Sequence, residues 1–106
     1  MNEFDDRLLF YLEGLFEDDP LPDEIKYVYF LIKHDRRGYH LEIKGSEIKN
    51  TSYFGYHPLE GQYYFYDYPE DIVLFREELK LSIKNLPLFK GRKVYLLENN
   101  KLSLIS

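Results

Sequence analysis

The chain has 106 residues, a length that suits one domain whose core buries roughly 60 to 70% of the unfolded surface. Hydrophobic residues make up 44% and charged residues 31%, too apolar for a disordered chain, so a single domain spanning residues 1–106 is expected to fold alone. The absence of cysteine excludes a disulfide framework, a thiolate zinc site and a thiol nucleophile, and the formal net charge of -5 opposes binding to polyanions.

Residues 3–17 read as a first helix, because Phe4, Leu8, Tyr11 or Leu12, and Leu15 recur at spacings of three and four and make one apolar stripe. Asn2 is placed to cap it, and Glu3, Asp5 and Asp6 suit the positive end of the helix dipole. Glu17, Asp18 and Asp19 sit at the other end, where negative charge costs about a few tenths of a kcal/mol each, which points to a use other than stability. Pro20 and Pro22 then stop the helix.

From Lys26 to His34 the chain is apolar on both parities and reads as a central strand. Asp35-Arg36-Arg37-Gly38 is a turn with glycine where positive φ is needed, and Tyr39 to Lys44 alternates as the returning strand. A four-residue loop pairs His34 with Tyr39. That register gathers Val28, Phe30, Ile32, Tyr39, Leu41 and Ile43 on the core face and puts Tyr27, Tyr29, Leu31 and Lys33 on the other with His40, Glu42 and Lys44.

After a connection at residues 45–50, Ser52 to Tyr56 and Gln62 to Asp67 predict a second hairpin closed by residues 57–61. Pro69, Glu70 and Asp71 open a second helix over 69–86 with the stripe Ile72, Phe75, Leu79, Ile83 and Leu86, ended by Pro87. Lys93 to Leu97 and Lys101 to Ile105 form a hairpin about Asn99-Asn100, which sets Glu98 opposite Lys101 and puts Tyr95, Leu97, Leu102 and Leu104 on one face. The order αββββαββ predicts an α+β domain: a mainly antiparallel sheet of about six strands with two helices on one face. Leu8, Leu12, Val28, Phe30, Ile32, Leu41, Ile43, Ile72, Phe75 and Leu79 are its expected core.

The chemistry-bearing residues are sparse. His34 and His40 flank the Arg36-Arg37 turn on opposite parities and His57 lies in a proline-containing loop, while no metalloprotease, serine-hydrolase, phosphate-loop or dinucleotide signature is present. A metal-independent nuclease built from His34, Arg36, Arg37 and His40 is the rival enzymatic reading. Single-strand nucleic-acid binding would need the Arg36-Arg37 tip or Lys84, Lys90, Arg92 and Lys93 to form a basic groove with stacking tyrosines, against the overall charge. Metal binding by Asp18, Asp19, Asp23 and Glu24 lacks the spacing of a calcium loop, so neither metal nor cofactor is expected.

Charge and tyrosine distribution say more. Residues 1–24 carry nine acids against Arg7 alone, whereas the rest of the chain is net basic. Six of the eleven tyrosines fall between Tyr53 and Tyr68. An acidic lip steers basic partners and exposed tyrosines anchor interfaces. The expectation is a small non-catalytic protein-binding module, of an inhibitor or immunity type, that neutralises a basic, nucleic-acid-handling protein. Its partner-binding residues would be Glu17, Asp18, Asp19, Asp23, Glu24, Tyr27, Tyr29, Tyr64 and Tyr66. A homodimer subunit that buries its tyrosine face is a third reading. The opening residues are acidic where a secretory signal would be basic, and the longest apolar run, Tyr27 to Ile32, is far short of the roughly 20 residues that span a bilayer, so a cytoplasmic location is expected.

Overall fold

The computed structural model describes residues 3–35, 38–49, 54–57, 62–65, 72–85, 87–89, 91–99 and 101–105, with the backbone alone at 3, 4, 34, 35, 62–65, 72, 85 and 87. The elements are α1 (Glu3–Asp18), β1 (Tyr27–Asp35), β2 (Gly38–Ser46), β3 (Gln62–Phe65), α2 (Ile72–Asn85), a 3-10 turn (Pro87–Phe89), β4 (Lys93–Glu98) and β5 (Lys101–Leu104). The fold is α+β.

Helix α1 buries Leu8, Tyr11, Leu12 and Leu15 of the stripe its spacing predicts, the side chain of Phe4 lying outside the described residues, and ends at Asp18 ahead of Pro20. Helix α2 buries Phe75, Leu79 and Ile83. Its expected first residues, 69–71, and Leu86 lie outside the described residues, as does the side chain of Ile72. Both helices join one apolar cluster with Val28, Phe30 and Ile32 of β1, Leu41 and Ile43 of β2, and Val94 and Leu96 of β4. Tyr39 stacks on Phe75 at 4.8 Å and Phe30 meets Phe89 edge-on at 5.6 Å. The Ser82 hydroxyl, buried between the helices, donates to the Asp5 carboxylate.

The β1–β2 hairpin has the expected register: His34 pairs with Tyr39, and Asp35 with Gly38, whose φ of 124° is open to glycine and strained for other residues. The β4–β5 hairpin also matches, with Glu98 opposite Lys101 and Asn99 in the left-handed region at φ 51°.

The sheet itself departs from expectation in two ways. It is mixed, with five strands in the order β3-β2-β1-β4-β5 and with β4 running parallel to β1. A parallel neighbour needs a crossover, and α2 supplies one by carrying the chain from β3, at one edge, to the far side of β1. There β4 covers what would be the open edge of the most apolar strand, and Val94 and Leu96 line up with Val28 and Phe30. The second hairpin is also not formed as expected. Of the segment Ser52 to Tyr56, residues 52 and 53 lie outside the described residues, and Tyr56 makes an isolated antiparallel bridge with Gly45. Tyr56 and β3 both pair with β2, at Gly45 and at Tyr39–Glu42, instead of with each other. A free β2 edge satisfies both sets of backbone groups. Gly45 leaves room at this point, since a Cβ there would lie 2.6 Å from Ile25 Cγ2 and 3.3 Å from Tyr56 Cβ.

Candidate functional site

The acidic segment that follows α1 is held by its backbone, not by its carboxylates. Asp19 still donates its N–H to Leu15 O at 2.8 Å as the helix ends, and its own carbonyl accepts the Tyr56 hydroxyl at 2.6 Å. Three residues on, the Arg92 guanidinium donates to Pro22 O at 3.1 Å and, through Nε, to Ile25 O at 2.7 Å. Lys26 Nζ donates to the Asp23 carbonyl at 2.7 Å. The Lys26 N–H reaches Ser46 O at 3.1 Å, and Lys26 O accepts from Lys93 at 2.9 Å, which feeds the chain into β1. Ile25, 3% exposed, seats the segment in the core, so it packs more tightly than a proline-bounded surface loop suggests.

Glu17, Asp18, Asp19, Asp23 and Glu24 are all exposed. None of their carboxylates takes part in an ion pair or side-chain hydrogen bond among the described residues. The nearby cations are committed to carbonyl oxygens, and the last turn of α1 has no basic residue to offset the helix dipole. The result is a fixed backbone carrying unneutralised charge.

Desolvation acts on two nearby tyrosines, and on one of them this charge adds to it. Burial, and after it the Asp19 carboxylate, pushes the Tyr56 phenol up to about 12. Tyr11 is likewise raised well above the ordinary tyrosine value, first by burial and then by Tyr56 and Glu42.

The expected tyrosine plate divides. Tyr29 is 0% exposed and cannot belong to a free recognition surface: its ring lies 5.7 Å from Tyr95 and 5.3 Å from Phe54, and its hydroxyl is 3.1 Å from Ser46 Oγ. The segment after β2 covers this second face, with Lys49 Nζ 5.2 Å above the Tyr95 ring. Apolar residues on both parities of β1 are the mark of a strand covered on both sides, and that cover is what the exposed reading of Tyr29 lacked. Tyr27 is half-buried and stacks on Tyr95 at 6.3 Å. The side chain of Tyr64 and all of Tyr66 lie outside the described residues.

On the catalytic side, His40 is buried and pairs with Lys33, one residue from the His34–Tyr39 pair, so positions 34 and 40 fall on opposite parities of the sheet. Arg36 and Arg37 lie outside the described residues. Among the described residues no three His, Asp or Glu side chains are grouped to hold a metal ion, and no helix is long and apolar enough to cross a membrane.

Two residues on α1 carry information that its apolar stripe hides. Phe10 is 78% exposed, and Gly14, one turn later on the same face, is exposed in mid-helix. With Leu9 they line an open groove of about 800 Å³ together with Asp6, Glu13, Glu17, Asp18 and Asp19. The signal was in the spacing: Phe10 is an aromatic residue off the stripe that Leu8, Leu12 and Leu15 define. Comparison with protein-family models, curated proteins and solved structures gave no match for this chain.

Proposed function

We propose that this protein is a non-catalytic binding module whose acidic end docks on a basic protein, in the manner of an inhibitor or immunity-type protein. The observation that carries the reading is the combination of a clamped backbone with five exposed carboxylates from Glu17 to Glu24 that have no ion pair among the described residues. Surface charges that stabilised the fold would be paired or would complement the dipole of α1, and these do neither. A rigid, same-sign lip raises encounter rates with a cationic surface and loses little entropy on docking. The target class is a protein whose own basic surface handles nucleic acid, because closely spaced carboxylates present it with a run of anionic charge.

The test begins with affinity capture from the native cell and continues with association and dissociation rates on the captured protein. Replacing Asp18, Asp19, Asp23 and Glu24 by Asn or Gln should slow association by roughly 10-fold or more at low salt and flatten its salt dependence. Dissociation and the denaturation midpoint should move little, since the segment is held by carbonyl oxygens. Association that is indifferent to the four changes would reduce the lip to an ordinary solvated surface.

A further inference from the structure

The charge asymmetry accounts for Glu17 to Glu24 but not for Phe10 and Gly14. A glycine in the middle of a helix weakens it relative to alanine. Where glycine is retained, the usual reasons are a positive φ or a neighbour too close for a Cβ. Gly14 has neither: its φ is not positive, and a Cβ built there meets nothing within 4 Å. Among the described residues, therefore, nothing gives the missing side chain a packing use. One turn earlier, Phe10 is the most exposed large apolar residue among those described, at 78%. A single exposed apolar residue is unremarkable on a protein surface. Next to a side-chain-free notch on the same helix face, it forms a knob beside a hole, the arrangement by which helices interlock closely.

The surroundings select the occupant. Asp6, Glu13 and Glu17 stand at positions i−4, i+3 and i+7 from Phe10, and so on its face of α1, with Asp18 at the end of the groove. All four are exposed and without ion pairs among the described residues. A groove lined by exposed apolar and acidic residues matches a cationic segment that carries an apolar stripe and rejects an acidic one. Helix-in-groove recognition uses this combination of apolar anchors and flanking charge. We propose that the Phe10–Gly14 flank of α1 is the seat of a basic amphipathic helix from a partner protein. An apolar side chain of that helix packs beside Phe10, and its backbone closes on Gly14. This rests on the reading of the acidic end as a docking surface and adds the anchor to it.

The test uses the full chain and three synthetic peptides: an amphipathic helix of lysine and leucine, an oligolysine of equal charge, and a glutamate–leucine helix. Titrations would give affinities, and amide chemical shifts would map the contact. The lysine–leucine peptide should bind about 10-fold or more tightly than oligolysine, with shifts centred on residues 9–18. Phe10→Ser and Gly14→Leu should each weaken it by roughly 10-fold. Gly14→Ala should raise Tm by about a few degrees through helix propensity, which separates binding loss in the Gly14 series from damage to the fold. Equal binding of lysine–leucine and oligolysine, or binding that survives Gly14→Leu, would overturn the groove and leave the acidic lip standing. Equal binding of the glutamate–leucine helix would overturn the basic occupant. Failure of both cationic peptides to bind would overturn the groove and the docking surface together.

Discussion

The Tyr56 hydroxyl donates to the Asp19 carbonyl at 2.6 Å while its ring is buried in the core, so one side chain joins the acidic segment to the end of β2. Its ionisation is disfavoured in the folded state, where burial and the Asp19 carboxylate push the phenol from the ordinary 10.0 to about 12. Between those values the folded protein holds a proton that the unfolded chain releases, so stability is fully present below pH 10 and falls as pH rises toward 12. Tyr56→Phe should flatten this alkaline loss while lowering stability near neutrality by about 1 kcal/mol for the missing hydrogen bond. Denaturation midpoints measured across that pH range for both proteins check it, and an alkaline slope unchanged by the substitution would assign the effect to Tyr11, whose phenol is also raised. Tyr29 shows the same residue type in a different setting, fully buried with its hydroxyl beside Ser46 Oγ.

At the level of elements, the segment joining α1 to β1 behaves as part of the sheet. Arg92, just before β4, reaches two of its carbonyl oxygens, and Lys93 and Ser46 hold its end between β4 and β2. Loops with many exposed backbone hydrogen bonds open easily, whereas this one has its carbonyl groups tied to side chains from other elements. Arg92→Met should leave Pro22 O and Ile25 O without those donors and cost about 1 to 3 kcal/mol. The loss should appear as faster hydrogen exchange at the Ile25 and Lys26 amides, both bonded within this clamp. Exchange rates equal to those of the parent protein would mean that the buried Ile25 side chain alone holds the segment.

For the whole molecule, a chain of this size has a net stability of about 5 to 15 kcal/mol, so one core residue can matter greatly. Phe30 is 0% exposed, on the central strand, flanked in register by Ile43 and Leu96 and met edge-on by Phe89. Phe30→Ala should cost about 3 to 5 kcal/mol. A chemical denaturation midpoint close to that of the parent would remove Phe30 from the core. The molecule is also electrically lopsided: nine of its nineteen acids lie in the first 24 residues, along α1 and the clamped segment that follows it. That segregation is what lets a modest net charge produce a strong local field.

What the sequence by itself determined is what local spacing controls. The stripes of α1 and α2, the His34–Tyr39 register and the Asn99 turn all follow from periodicity and turn chemistry acting over a few residues. The acidic character of the 17–24 segment was equally legible, because charge is a property of the residues themselves. Only the tertiary structure decided that β4 lies parallel to β1, that Tyr56 bridges Gly45 while β3 pairs farther along β2, and that Tyr29 is buried. Each depends on which distant segment covers an apolar face or an open strand edge, and alternation along one strand is the same whether its second face meets water or protein. The clamp is of this kind as well: Arg92 lies 70 residues from Pro22 in the chain, and nothing near either residue signals that the guanidinium will meet that carbonyl.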